Sequence, residues 1–182
     1  GCGLGVHENT RYNLDHLIRT SETPLIIDAD GINLIAENIN ILKEKKAPII
    51  LTPHMGEMAR LLGCSVTNLK RYKLEAALKF AKKFGVVLVL KDYNTVVTTP
   101  DGKLFFNSTG NPGLAKGGSG DILAGVIAGF TAQGIHPVLA AVSGVYLHGL
   151  AADRCAARKS QYGMLPTDIL DDLCDIFLEN KR

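Results

Sequence analysis

The sequence predicts an α/β fold in which a largely parallel β-sheet is flanked by helices. Two observations carry this prediction. Short, nearly continuous apolar runs at 25–27, 48–52 and 86–90 alternate with amphipathic segments, and such runs are typical of strands buried on both faces. A glycine-rich segment at 107–118 then leads straight into another apolar helix. We expect residues 1–182 to form one domain.

Composition excludes several classes of protein. The chain has 182 residues, is 46% hydrophobic and carries a net charge of +2. This balance predicts neither a nucleic-acid partner nor a membrane partner. The four cysteines form no CxxC pair, which favours reduced thiols and a cytoplasmic location. No apolar run is long enough to span a bilayer.

Hydrophobic periodicity and turn residues place the remaining elements. A hairpin is expected where 96–99 and 104–106 flank Pro100, Asp101 and Gly102. The helix at 67–84 should turn its basic residues to water, and Thr167 is a plausible N-cap for the last helix. Helices are expected at 13–20, 31–40, 57–62, 67–84, 119–133, 137–157 and 166–179.

The segment 107–134 is the strongest candidate for a functional site. Gly117, Gly118 and Gly120 lack a Cβ, so the backbone can take positive φ and approach a ligand closely. We expect Ser119 to be the N-cap of the following helix. Unpaired N–H groups in a first helical turn attract anions, so this segment predicts a phosphate site.

Asp121 stands in the first turn of the same helix. It either complements the helix dipole or takes a proton from a hydroxyl while backbone amides hold a transferred phosphate. The run of glycines favours the second interpretation. One turn apart, Gly125 and Gly129 are expected to let this helix pack closely against a neighbour.

Polar residues follow the predicted strands at their carboxyl ends. Asp28 and Asp30 follow the first strand, His54 the second and Lys91 the third. Ligands of open parallel sheets collect at this edge, so these residues and the loop before Asp121 should converge. Each has an ordinary alternative: Asp30 is expected to cap a helix, and a single histidine is usually structural.

Other features carry less weight. The opening GCGLG is either an ordinary loop or a turn that exposes N–H groups. It lacks a preceding methionine and strand, so we expect N-terminal elements of the domain to be missing. Tyr146 and His148 lie in an apolar helix and are expected to be packing residues.

Five segments resemble the NAD(P)H-hydrate dehydratase family of the ribokinase-like fold. Ribokinase-like domains are three-layer sandwiches around a mostly parallel sheet. The histidine in the third segment distinguishes this family from related vitamin and sugar kinases. The segments are GCGLG at Gly1, DADGIN at Asp28, LTPHMGEMARLLG at Leu51, LKDYNTVV at Leu90 and GNPGLAKGGSGDILAGVIAGF at Gly110.

The resemblance implies a repair reaction on damaged nicotinamide dinucleotides. ADP or ATP would phosphorylate the hydroxyl of the hydrated ring in NADHX or NADPHX. Loss of phosphate with a neighbouring proton would then restore NADH or NADPH, so the enzyme is a carbon–oxygen lyase. Mg²⁺ is expected to bridge the phosphates, although its ligands are unknown.

The resemblance also implies roles for individual residues. Asp121 would be the catalytic base and would contact the substrate. Gly3 and His54 would bind the hydrated dinucleotide. An anion hole would be formed by Gly118, Ser119 and Gly120, and the nucleotide would be bound by Lys91, Asp92, Tyr93, Asn94, Thr95 and Gly120. Asp92 replaces the glycine that is usual in the family.

Two other functions remain open at this point. A vitamin-precursor or sugar kinase of the same fold would keep Asp121 without requiring His54. A non-enzymatic chain would bind nucleotide or assemble with a partner. Buried apolar helices also favour a homo-oligomer.

Overall fold

The computed structural model describes residues 1–179, and its helices and strands alternate largely as predicted. The helices are α1 (Glu8–Thr20), α2 (Asp30–Glu37), α3 (Met55–Leu62), α4 (Val66–Phe84), α5 (Ser119–Ala132), α6 (Pro137–Gly163) and α7 (Ile169–Glu179). The strands are β1 (Leu25–Ile27), β2 (Ile49–Leu51), β3 (Val87–Leu90), β4 (Val96–Thr98) and β5 (Leu104–Phe106). Short 3₁₀ segments occupy Ile39–Glu44, Pro112–Leu114 and Pro166–Asp168.

The five strands form one sheet in the order β1-β2-β3-β4-β5. β1, β2 and β3 are parallel, with Ile26 opposite Ile50 and Ile50 opposite Val87. β3, β4 and β5 are antiparallel neighbours, so the predicted hairpin is confirmed. The carboxyl ends of the three parallel strands therefore share one edge.

Helices cover both faces of the sheet, which makes three layers. Successive strand residues point to opposite faces: Leu88 and Leu90 join the core beneath α1–α4, whereas Val87 and Val89 join the core beneath α5 and α6. A third apolar cluster joins α6 to α7. The α/β sandwich with a mostly parallel sheet is confirmed. Within residues 1–179, no helix is both long and apolar enough to cross a bilayer.

Several predicted helix ends were wrong. α1 begins at Glu8, five residues before its predicted start at Asn13. Ser119 is the first residue of α5, and Gly118 with φ of 97° is the N-cap, because only glycine adopts that backbone freely. Thr167 lies in a 3₁₀ turn rather than at the N-cap of α7. α6 runs on to Gly163, with a break at Ser160.

The close contact between helices involves a different glycine from those predicted. A Cβ at Gly125 or Gly129 would meet no atom within 4 Å, so neither brings α5 against a neighbour. The contact is made by Gly144 of α6, where a Cβ would lie 2.7 Å from Cγ1 of Ile127 and 3.6 Å from its backbone. This glycine fixes how α5 lies on α6.

Replacing Gly144 should separate these helices. We expect Gly144→Val to lower the free energy of unfolding by about 1–3 kcal/mol, because the added methyl groups overfill a packed contact. Gly125→Ala is the matched control and should raise it by about 0.5–1 kcal/mol, since alanine favours helix and meets open space. Urea unfolding of the variants measures both changes. Equal effects would contradict this account of the helix contact.

Candidate active site

The residues that follow the three parallel strands meet at one edge of the sheet, as predicted. The Lys91 ammonium donates a hydrogen bond to Oδ1 of Asp28 at 2.8 Å. Both side chains are largely buried, with 21% and 7% exposed. The backbone of Lys91 pairs with the segment at His54, and its N–H donates to the Pro53 carbonyl at 2.8 Å.

The N-terminus of α5 lies directly over this ion pair. A Cβ at Gly120 would sit 3.2 Å from Nζ of Lys91 and 3.5 Å from Oδ2 of Asp28. A side chain at residue 120 would be in tight contact with the ammonium and would require it to shift by a few tenths of an ångström. The first-turn N–H groups of α5 and the Lys91 ammonium therefore lie together, with the Asp28 carboxylate balancing part of the ammonium's charge.

Asp121 is exposed at the same helix end and faces the opening turn of the chain. A hydrogen bond to its carboxylate, followed by the negative charge of that group, raises the pKa of the Cys2 thiol. Gly3 and Gly5 adopt φ of 71° and 74° in this turn. The GCGLG turn and Asp121 are thus neighbours, so the predicted convergence extends to Gly3.

Asp30 does not cap α2, contrary to the prediction. The N-cap is Ala29, and no side chain makes a capping hydrogen bond there. Instead, Oδ2 of Asp30 accepts a hydrogen bond from the Gly5 N–H at 2.9 Å. This contact fastens the opening turn to the end of β1.

The three residues predicted to form an anion hole differ in how their backbone and side-chain groups are placed. The N–H of Ser119 donates weakly to the Lys116 carbonyl at 3.3 Å. Its hydroxyl is buried and has no hydrogen-bond partner. Gly118 and Gly120 are better placed, because the first is a left-handed N-cap and the second lies over Lys91.

His54 is the N-cap of α3. Its Nδ1 accepts hydrogen bonds from the N–H groups of Gly56 and Glu57, at 2.9 and 3.2 Å. The Glu57 carboxylate accepts from the His54 N–H at 2.8 Å, which completes a capping box. The expected support of this helix start by Glu57 is confirmed. The His54 ring therefore has a structural role and is also more than half exposed.

The segment 91–95 forms an exposed loop between β3 and β4. Tyr93 is 90% exposed and offers an open aromatic face, with Asn94 also exposed and Thr95 half-buried. Burial alone would raise the pKa of Asp92, but hydrogen bonds from Lys73 and the Tyr93 backbone hold it below its usual range. Lys73 thus anchors the loop to α4 instead of facing water.

Sequence reasoning missed the residue that holds the glycine-rich loop. Asp153 of α6 accepts hydrogen bonds from the Gly110 N–H at 2.8 Å and from the Asn111 amide at 2.9 Å. The only signal was that Asp153 is the first charge after a long apolar stretch of helix. Its contacts lie more than forty residues away in sequence.

His148 is a buried neutral group beneath the site. It is 7% exposed, and its Nε2 has no hydrogen-bond partner. Burial lowers the pKa of His148 to about 4. A hydrogen bond with the Ser119 backbone opposes this shift, and the positive charge of Lys91 reinforces it. The expected packing role is confirmed for His148 and wrong for Tyr146, which is exposed.

The site is open to solvent. Two grooves of about 700 and 310 Å³ lie along α6 and β5, away from Asp121. Among residues 1–179, no three acidic, histidine or cysteine side chains are grouped to hold a metal ion.

The three-layer α/β fold, with a glycine-rich loop leading into α5 at the sheet edge, is that of a ribokinase-like protein. The chain belongs to the NAD(P)H-hydrate dehydratase family, whose sequence pattern matches residues 1–174. It is 43% identical over 173 residues to the bifunctional NAD(P)H-hydrate repair enzyme Nnr of Moorella thermoacetica, covering 95% of this chain and 33% of that protein.

Two solved structures share this fold, and one of them bears the family's name. One is the ADP/ATP-dependent NAD(P)H-hydrate dehydratase of Bacillus subtilis, co-crystallised with ATP and Mg²⁺ and soaked with CoA. It has a TM-score of 0.86 at 34% identity, over 97% of this chain and 63% of that one. The other is a ribokinase-like superfamily protein of Enterococcus faecalis, with a TM-score of 0.82 at 33% identity, over 98% and 61%. The chain thus spans about a third of the bifunctional relative and under two thirds of these structures.

His148 should make stability depend on pH. Because the unfolded histidine titrates near 6.5 and the folded one near 4, the unfolded state binds the extra proton between these values. Stability is therefore complete above about pH 6.5 and falls by up to about 3 kcal/mol as the pH drops to about 4. We expect His148→Gln to reduce this loss in urea unfolding at several pH values. An unchanged pH dependence would contradict the buried neutral histidine.

Proposed function

We propose that the protein carrying this chain converts hydrated NADH or NADPH to NADH or NADPH at the expense of ADP or ATP. The observation that carries the proposal is the meeting of three groups: the Lys91 ammonium, the N-terminus of α5 and the Asp121 carboxylate. The first two attract a phosphate, and the third can accept a proton beside it. Family membership supports this chemistry.

In the proposed reaction, Asp121 takes the proton from the ring hydroxyl. The hydroxyl oxygen attacks the terminal phosphorus of the nucleotide at the same time. The bond from that phosphorus to the bridging oxygen breaks, so ADP leaves as AMP. N–H groups at Gly118 and Gly120, together with Lys91, would stabilise the charge on the moving phosphoryl group.

Phosphorylation makes the subsequent elimination possible. Hydroxide is a poor leaving group, whereas phosphate leaves readily with the electrons of the carbon–oxygen bond. Loss of a proton from the adjacent carbon then restores the ring double bond. The net reaction is dehydration of the dinucleotide coupled to hydrolysis of the nucleotide.

We propose that the loop at 91–95 and Gly120 bind the nucleotide, with the exposed Tyr93 ring available to stack on the base. Gly3 and His54 would contact the dinucleotide, because the GCGLG turn adjoins Asp121 and the exposed His54 ring follows β2 at the same edge of the sheet. The exposed position of these groups supports access by both ligands.

Mg²⁺ fits this arrangement as a partner of the phosphates. Mg²⁺ commonly keeps several waters and binds through substrate phosphates with one or two carboxylates. A dedicated cage of three ligands is absent from residues 1–179, so the ion would be held largely by the nucleotide, with Asp121 as the nearest exposed carboxylate. When bound, it would neutralise phosphate charge.

The alternative is a kinase of the same fold acting on another small molecule. It would use the same anion site and Asp121 but would not need His54. The capping role of His54 gives this alternative some support, because that role explains the histidine without a substrate. Family membership favours the dehydratase.

We further propose that residues 1–182 act as one domain that self-associates in the cytoplasm. Its four free cysteines suit a reducing compartment. Exposed apolar side chains at Phe106, Leu139 and Tyr146 border the grooves along α6 and offer a surface for a second copy.

Asp121→Asn tests the proposed base. We expect formation of reduced nicotinamide from hydrated NADH and ADP to fall by about 100-fold or more, because the amide cannot accept the proton. The affinity for ADP, measured by calorimetry without Mg²⁺, should change little. Asp171→Asn is the matched control, since Asp171 is an exposed acid in the first turn of α7. Turnover that survives Asp121→Asn would overturn the assignment, and turnover of a vitamin precursor or sugar alone would favour the kinase.

A further inference from the structure

The segment Asp28-Ala29-Asp30 touches both sides of the candidate active site. Asp28 accepts the hydrogen bond from Lys91 on the nucleotide side. Asp30 accepts the hydrogen bond from the Gly5 N–H, which belongs to the turn on the dinucleotide side. Two carboxylates separated by one residue thus reach two groups that come from distant parts of the chain.

The backbone between these carboxylates is strained. Ala29 has φ of 52° and ψ of −119°, a conformation that residues with a Cβ rarely adopt. Such strain persists only where the surrounding contacts hold it. Backbone hydrogen bonds from Gly31 to the Asp28 carbonyl and from Ile32 and Asn33 to the Ala29 carbonyl hold it. The side-chain contacts of Asp28 and Asp30 add to these on either side.

Stability alone does not explain the buried pair of Asp28 and Lys91. A buried ion pair contributes little net stability, since desolvation offsets its attraction. The pair instead fixes an ammonium beneath the N-terminus of α5, at the place where a Cβ on Gly120 would touch it. Its geometry is therefore matched to the anion site.

We propose that Asp28 and Asp30 are positioning residues that fix Lys91 and the GCGLG turn on opposite sides of Asp121. Asp28 acts on nucleotide binding through Lys91, and Asp30 acts on dinucleotide binding through the turn. This inference rests on the proposed function only for the identity of the second ligand, hydrated NADH. The hydrogen bonds of Asp28 and Asp30 are present in the structure whatever that ligand is.

The two residues should therefore affect different ligands. We expect Asp28→Asn to weaken ADP binding by about tenfold or more, because the charged hydrogen bond that orients the Lys91 ammonium is lost. Asp30→Asn should leave ADP binding within about twofold and raise KM for hydrated NADH by a similar tenfold. Calorimetry with ADP and Mg²⁺, and steady-state kinetics, measure these changes in the protein that carries this chain.

Asp172→Asn is the matched control. Asp172 is buried to a similar degree, with 10% of its side chain exposed, and pairs with Arg158 at 2.7 Å on α6 and α7. Its replacement should lower the unfolding temperature without changing either ligand's binding. If Asp172→Asn weakens ADP binding as much as Asp28→Asn, the effect is one of stability and the proposal fails.

A double-mutant cycle tests whether Asp28 acts through Lys91. In a Lys91→Met background, Asp28→Asn should cause no further loss of ADP affinity. Additive losses would overturn the assignment. Should Asp28→Asn not fold, Asp28→Glu keeps the charge and moves the carboxylate by one methylene group. It should weaken ADP binding by displacing the Lys91 ammonium, and unchanged ADP binding would contradict the proposal.

The reactivity of the Cys2 thiol reports the position of the GCGLG turn without any measurement of enzyme activity. Asp121 raises the pKa of this thiol, so a loosened turn should make it a better nucleophile. We expect Asp30→Asn to speed iodoacetamide alkylation of Cys2 severalfold, as read by mass spectrometry, with exposed Cys174 unchanged. An unchanged Cys2 rate overturns the role of Asp30. A faster rate without any dehydratase turnover refutes the proposed function alone.

Discussion

The geometry of the candidate site depends on one buried ion pair, between Lys91 and Asp28, beneath the N-terminus of a helix. A lone ammonium at this depth would be costly, and the Asp28 carboxylate offsets that cost. The first turn of α5 lies close over the pair, and the absence of a side chain at residue 120 leaves both groups undisturbed. The result is an ammonium fixed beneath the N–H groups of a helix, with an exposed carboxylate at Asp121 beside it.

The rest of the fold holds these groups in place. Parallel pairing of β1, β2 and β3 brings Asp28, the segment at His54 and Lys91 to the same edge. Close packing of Gly144 against Ile127 sets the position of α5. Asp153 then holds the glycine-rich loop that leads into it. Core packing and site geometry are therefore linked through α5 and α6.

Local patterns predicted much of this. Continuous apolar runs located the strands, and the glycines followed by an apolar stretch located the loop and helix α5. The remainder depends on contacts that sequence does not show. Asp30 meets Gly5 across 25 residues and Asp153 meets Gly110 across 43, and neither spacing has a local signal. Gly125 and Gly129 indicated a close helix contact, but the structure makes that contact through Gly144. The sequence does not show which face of α5 packs against α6, and the neighbours of each glycine depend on that face.

A structure of the protein with ADP and Mg²⁺ tests the central claim most directly. The account predicts that oxygens of the terminal phosphate accept hydrogen bonds from first-turn N–H groups of α5, within reach of the Lys91 ammonium and next to Asp121. Phosphates bound instead in the groove beside Lys46 and Lys103, with the N-terminus of α5 unoccupied, would contradict it.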